Sequence, residues 1–319
     1  MSMGFMGYCT LGASDYLLLC NSTGLEIQIA PIYSEAAIGQ GWQNASITTH
    51  YAENALTYQG GIDTELEWGA TLMGVLEPWI ASDRVSSEKV VISPNGINTF
   101  SYTPGAQYPG SGSNTGVWCN SAGFSASEGS FVTASFDCLA LTRTHSAGAV
   151  SYYANSTGQG GTPSYPLNPS DNNRAPVPYW QTTCSITAGG VQIGGVNAEA
   201  TTWTFNWSNN AMLLYTCSGV QAAGAVLMGA IDVTGDVTVY SPDGIDDTWT
   251  GYSAADTVFN VAVAGTAQAI RAANVQVEGS TFGVGGKNEV TTRAFTWKAI
   301  GDGTNAPGSF TVPADEPNV

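Results

Sequence analysis

The stretch Ile62-Asp63-Thr64-Glu65-Leu66-Glu67-Trp68 alternates in polarity with a period of two. Successive side chains of an extended strand point to opposite faces, so the stretch reads as a strand. Leu66 and Trp68 are expected on the buried face, and Asp63, Glu65 and Glu67 on a solvated acidic face. The same alternation recurs along the chain. Leu25-Glu26-Ile27-Gln28-Ile29 shows it, ended by Pro31, as do residues 131–141, 201–207, 233–240, 258–263, 275–277 and 291–300. Turns rich in Gly, Pro, Asn and Ser separate these runs, among them Ser93-Pro94-Asn95-Gly96 and Ser241-Pro242-Asp243-Gly244. The expected fold is all-β. A short helix is expected from Glu77 to Glu88, with Pro78 in its first turn.

Composition points the same way. The chain has 319 residues, enough for two domains with cores of their own, and only 10% are charged. Thirty-nine glycines, with many Ser, Thr and Asn, stand in for the missing charge. Eight Lys and Arg face 25 Asp and Glu, for a formal charge of -17. A protein that grips nucleic acid replaces counterions with its own cations, and these few are scattered from Arg84 to Lys298. Stable DNA or RNA binding is not expected, although an acidic wall would repel DNA. The N-terminal residues lack the basic stretch of a secretory signal. The apolar run Tyr16-Leu17-Leu18-Leu19-Cys20 is too short to cross a bilayer, so no membrane span is expected.

No catalytic, cofactor or metal site emerges. The six cysteines show no CxxC spacing, and small buried apolar residues account for them without zinc or disulfides. His50 and His145 are the two histidines, and no G-x-S-x-G elbow accompanies them. Gly283-Val-Gly-Gly-Lys287 lacks Walker spacing and reads as a hairpin turn. Asp63, Glu65 and Glu67 could be taken for glycosidase carboxylates, but any solvated strand places acids two apart. Asp243, Asp246 and Asp247 fit no EF-hand loop. Trp203 and Trp207 share one strand face and would serve either as a sugar platform or, more commonly, as sandwich core.

Residues 155–178, Asn-Ser-Thr-Gly-Gln-Gly-Gly-Thr-Pro-Ser-Tyr-Pro-Leu-Asn-Pro-Ser-Asp-Asn-Asn-Arg-Ala-Pro-Val-Pro, are aperiodic and full of breakers. They read as a linker between domains at 1–154 and 179–319. The halves look alike. Gly60-Gly-Ile62-Asp63 leads into one alternating strand and Gly229-Ala-Ile231-Asp232 into another. Val132 to Leu141 and Val290 to Ile300 are related closing strands. Cys9 and Cys20 precede any clear strand pattern, as in an N-terminal arm able to reach a neighbour.

In layout the chain resembles bacteriophage tail tube proteins, the longer class with two tube domains in tandem. The early strand Leu25 to Ile29, the irregular stretch around Gly41-Trp42, the Gly60-Gly-Ile-Asp63 strand and the Tyr102-Thr103-Pro104 segment carry the resemblance. The second half repeats it from Ser185-Ile-Thr through Asn209-Asn210 to Asn274-Val-Gln-Val277 and Phe295-Thr-Trp-Lys. The resemblance implies two tandem sandwich or partial-barrel domains with at most a short helix each. It implies self-assembly, with trimers forming pseudo-sixfold rings (alternatively hexamers) that stack into a tube alongside other tail proteins. Such a virion part is assembled in the bacterial cytoplasm, lets DNA pass at ejection and needs no cofactor. An arm bearing Cys9 and Cys20 would then reach the next ring, pairing with Cys119 or Cys184. The rival reading is a carbohydrate-binding or fibre-adhesin β-sandwich.

Overall fold

The structure, a computed structural model, describes residues 8–11, 16–34, 50–67, 70–80, 90–93, 98–102, 116–141, 144–147, 176–188, 191–193, 200–217, 223–240, 258–263, 269–283, 291–300 and 308–311. The first half holds β1 (Tyr8–Leu11), β2 (Tyr16–Ser34), β3 (His50–Glu65), α1 (Ala70–Ile80), β4 (Val90–Ser93), β5 (Asn98–Tyr102), β6 (Val117–Ser127), β7 (Thr133–Ala140) and β8 (Thr144–Ala147). After a 3-10 turn at Tyr179–Gln181 come β9 (Thr182–Ala188), β10 (Val191–Ile193), β11 (Ala200–Ser208), β12 (Met212–Leu214) and β13 (Ala225–Leu227). The rest are β14 (Asp232–Tyr240), β15 (Val258–Val263), β16 (Ala269–Ala273), β17 (Val275–Gly283), β18 (Thr292–Ala299) and β19 (Gly308–Thr311). The fold is all-β, built from two tandem sandwich-like units.

One long sheet runs β17-β18-β14-β11-β6-β7-β3-β2 and continues into β1-β4-β5-β8. The switch happens within β2, whose first residues pair with β1 and whose remainder pairs with β3. The second half has its own second layer, ordered β10-β9-β15-β16-β19. Every described ladder is antiparallel, as expected for strands joined by short turns.

Both halves follow one plan. The order β2-β3-β7-β6 reappears as β11-β14-β18-β17, and β1-β4-β5-β8 as β9-β15-β16-β19. Registers agree as well. Gly60 lies opposite Cys138 and Gly235 opposite Trp297, at matching places in β3 and β14. The ladders are also interrupted at matching residues, at Asn120 in β6 and Glu278 in β17, and at Asn21 in β2 and Thr201 in β11. Beyond the main sheet, Tyr33 pairs with Tyr51 as Leu213 pairs with Val226. The frame differs from the sequence comparison: Ile62 corresponds to Val237, not to Ile231. A glycine holds the frame because a Cβ on Gly235 would collide with the Thr204 carbonyl oxygen and the Trp297 ring.

One core crosses both units. Ring contacts run from Trp79 to Phe136 (5.2 Å between centroids), Phe136 to Phe124 (5.9 Å), Phe124 to Phe205 (6.2 Å) and Phe205 to Trp297 (5.9 Å). Phe259 from β15 stacks on Trp297 at 4.4 Å. Each buried ring of this kind contributes about 1.5–3 kcal/mol through the apolar area removed from water.

The helix lies earlier than its sequence signal indicated. Leu76, Trp79 and Ile80 are spaced to share one helical face and are all buried, and Trp79 Nε1 donates to the Val117 carbonyl at 3.0 Å. Pro78 sits in the last turn and not the first. With no N–H, it cannot donate back to the Gly74 carbonyl, so the turn before it lacks one hydrogen bond. Residues 155–175 of the expected linker lie outside the described residues. The last of that stretch is ordered: Val132 N donates to Val177 O at 2.8 Å, and Val177 N to Leu66 O at 3.0 Å.

Candidate functional site

The long sheet has two unlike faces. One is the core. On the other, the register aligns Asp63, Ser135, Gly123, Asn206, Thr234 and Lys298 in a row across six strands. The next row reads Glu65, Thr133, Ser125, Thr204, Asp236 and Thr296. This face is almost wholly hydroxyl, amide and carboxylate. It follows from period-two alternation in every strand, with Ser, Thr and Asn taking the outward positions.

Some of its polar groups are tied to one another. Ser125 and Thr133 hydroxyls lie 2.9 Å apart, and Thr204 Oγ1 donates to Asp236 Oδ2 at 3.2 Å. Asn120 Nδ2 donates to Asp137 Oδ2 at 2.7 Å. Lys298 Nζ is 3.0 Å from Asp232, and this hydrogen bond with its charge holds the Asp232 carboxyl below the usual carboxylate range. Among the described residues of this face Lys298 is the one cation. Asn21, Asp63, Ser125, Ser135, Thr204 and Asn206 line a shallow depression floored by Gly123. A Cβ on Gly123 would stand 3.0 Å from Ser135 Oγ and 3.2 Å from Asn206 Oδ1.

Of the three expected acids, Asp63 is exposed and Glu65 half-buried, both on this face. Glu67 does not join them: it is only 2% exposed. Strand β3 ends at Glu65, and Glu67 instead bridges Pro176, so the period-two rule no longer applies to its side chain. Leu66 is buried as expected, and Trp68 lies outside the described residues.

The cysteines divide differently from the expectation. Residues 8–11 and 16–34 are strands of the sheet and not an arm, and Cys9 is fully buried in the core. Cys20 is half-buried in β2. Their suggested partners Cys119 and Cys184 are also buried within the same chain, where burial pushes both thiols up. Cys119 faces Cys138 across the β6–β7 ladder, and both are free thiols. Cys217 departs from the reading of the six cysteines as small buried apolar residues. It lies in an exposed bend past β12, because the apolar strand pattern stops at Leu214.

Trp203 and Trp207 are 1% and 0% exposed, so neither is available as a sugar platform. The carboxamide following them entered the sequence reading only as part of the layout, without a role of its own. Asn209 is 1% exposed, donates through Nδ2 to the Cys119 carbonyl (2.9 Å) and the Ile80 carbonyl (3.2 Å), and accepts from Trp207 Nε1 at 2.8 Å. It ties β11 of one unit to β6 and the end of α1 of the other. An amide directly after an alternating aromatic strand was the available signal.

The second surface is the pair of sheet edges. Inside the chain the units join through β6 and β11, paired antiparallel from Ser121–Ser208 to Ser127–Thr202. The counterparts of these strands, β17 and β2, lie at the far ends of the eight-strand stretch. Among the described residues β17 has no neighbour beyond β18, and β1 pairs with only Tyr16 to Leu18 of β2. Open edges of this kind are templates for pairing with another chain. Beside the internal joint, β12 and β13 form a separate ribbon whose Met212, Leu214 and Leu227 are exposed.

Asp243, Asp246, Asp247 and the run from Val284 to Lys287 lie outside the described residues. Among the described residues no three metal-ligating side chains converge, and no helix is long and apolar enough to cross a membrane. Compared with known families, the chain matches the phage tail tube protein family over residues 50–299. No curated protein matches it.

Proposed function

This chain belongs to the phage tail tube protein family, a structural component of the virion that self-assembles into a tube, and from that premise we propose that three copies close a ring whose channel wall is the polar face of the long sheet. The open edges of β17 and β2 carry this reading. Edge-to-edge pairing of successive copies turns each eight-strand stretch into a segment of one closed barrel, which removes the edges altogether.

Size selects the number of copies. At about 4.8 Å between strands, three chains give a barrel of roughly 37 Å before strand tilt widens it. Two chains would give roughly 25 Å from backbone to backbone before the same widening, which leaves little or no clearance for a DNA duplex once side chains fill the wall. Two units per chain make the three-chain ring pseudo-sixfold. The rings stack through the ribbons that extend each β2–β3 and β11–β14 connection, where Met212, Leu214 and Leu227 offer exposed apolar contact.

The wall chemistry fits a conduit. Among the described residues of this face the one cation, Lys298, is occupied by Asp232, and carboxylates repel the duplex. DNA passes at ejection without stable binding, and the rings assemble in the host cytoplasm with the other tail proteins. The test is charge reversal on the wall. Asp63→Lys and Glu65→Lys together should leave tube assembly intact, since neither carboxylate is buried and charges in contact with solvent contribute little to stability, yet slow DNA ejection. Ejection at the native rate from fully assembled variant tubes would show that this face does not line the channel.

A further inference from the structure

We infer that the contact between chains copies, residue for residue, the contact between the two units inside a chain, and that Ile300 and Gln276 form a socket for the ribbon of a second copy. This rests on the reading of the chain as a ring-forming tube protein. Inside the chain Phe124 of β6 faces Phe205 of β11, and Ser121 faces Ser208. With β17 in place of β6 and β2 in place of β11, the shared registers bring Gly283 opposite Gly24, Phe282 opposite Leu25 and Gly279 opposite Gln28.

Exposure supplies an independent observation. Beside the internal joint, the β12–β13 ribbon closes over the first unit. Its cross-strand pair Leu213 and Val226 packs with Ala223 against Trp118 and Leu141, which are 5% and 8% exposed. The counterparts of Trp118 and Leu141 are Gln276 and Ile300, because Ile300 follows β18 as Leu141 follows β7. Yet Ile300 is 48% exposed. The isoleucine is bare where its twin is covered, and the missing cover is a ribbon. In the next copy the positions of Leu213 and Val226 are occupied by Tyr33 and Tyr51, which are likewise a cross-strand pair. A tyrosine brings an apolar ring for Ile300 and a hydroxyl suited to the Gln276 amide.

Two polar details are not repeated: Ile29 stands where Asn209 ties the internal joint to the Cys119 and Ile80 carbonyls, and the second lies next to it. Ala211 N donates to Asn120 Oδ1 inside the chain, whereas Pro31 at the matching place has no N–H and Glu278 replaces Asn120. The joint between chains therefore rests on the strand ladder and the socket.

Two variants of the full chain test this. Ile300→Asp should fold as the native protein does, because the side chain is half exposed in the single chain, while placing an unpaired charge in the socket. The fraction in rings should fall at least about tenfold at fixed concentration, with the monomer's near-ultraviolet circular dichroism unchanged. Separately, with Cys217 replaced by Ser, Leu25→Cys with Phe282→Cys should form interchain disulfides on treatment with oxidised glutathione. Glu26→Cys with Phe282→Cys, one residue out of register and on opposite faces, should not. Rings at the native level in Ile300→Asp, or cross-linking only in the shifted pair, would overturn this joint and leave the ring itself standing. Failure of the native chain to form any ring would overturn the reading beneath it.

Discussion

Asn209 shows how much one buried amide can hold in a fold of few charges. It satisfies the Ile80 and Cys119 carbonyls and the Trp207 indole, and no water can replace it at 1% exposure. Asn209→Ala strands these partners, so the midpoint of denaturant unfolding should drop by the equivalent of about 3 kcal/mol, with partial rescue by Asn209→Gln. A loss within error would show that the β6–β11 ladder and the ring packing hold the two units without this amide. Other single residues were misread in the sequence for a common reason. Period two describes a side chain only while its strand lasts. It placed Asp63 and Leu66 correctly but failed at Glu67, two residues past the end of β3.

At the scale of elements, the strands were legible and their junctions were not. Alternation marked β3, β7, β11, β14, β15 and β18, where one face is core and the other polar. β1 and the start of β2 carry no such alternation, since Tyr16 to Leu19 is a continuous apolar run, and so they read as an arm in the sequence. Helix α1 was displaced because Pro78 was read as a start signal, while the buried spacing Leu76, Trp79, Ile80 carried the better information. The repeat was visible in the sequence but in the wrong frame, since like letters in short strands outweighed the glycine that Trp297 requires. The corrected placement of β1 has a measurable consequence. Under native conditions a thiol reagent should modify Cys217 rapidly and Cys20 slowly, leaving Cys9, Cys119, Cys138 and Cys184 for the unfolded chain. Rapid modification of Cys9 would restore the free arm.

At the scale of the molecule, duplication explains why the chain ends its main sheet in two complementary edges. A unit that joins its twin through a β6-type edge and a β11-type edge necessarily leaves one of each exposed, at β17 and β2. Repetition around an axis is the arrangement that consumes both without opening a filament. In the proposed ring the acidic, cation-poor composition and the polar face then have a place in the wall of the channel. The most direct test of this account is the rotational symmetry of the assembled tube, measured by electron cryomicroscopy of the purified protein. The account predicts threefold rings of three chains, with six similar units and an unbroken β-wall around the channel. Six chains per ring, or a wall interrupted at the β17–β2 junction, would contradict it.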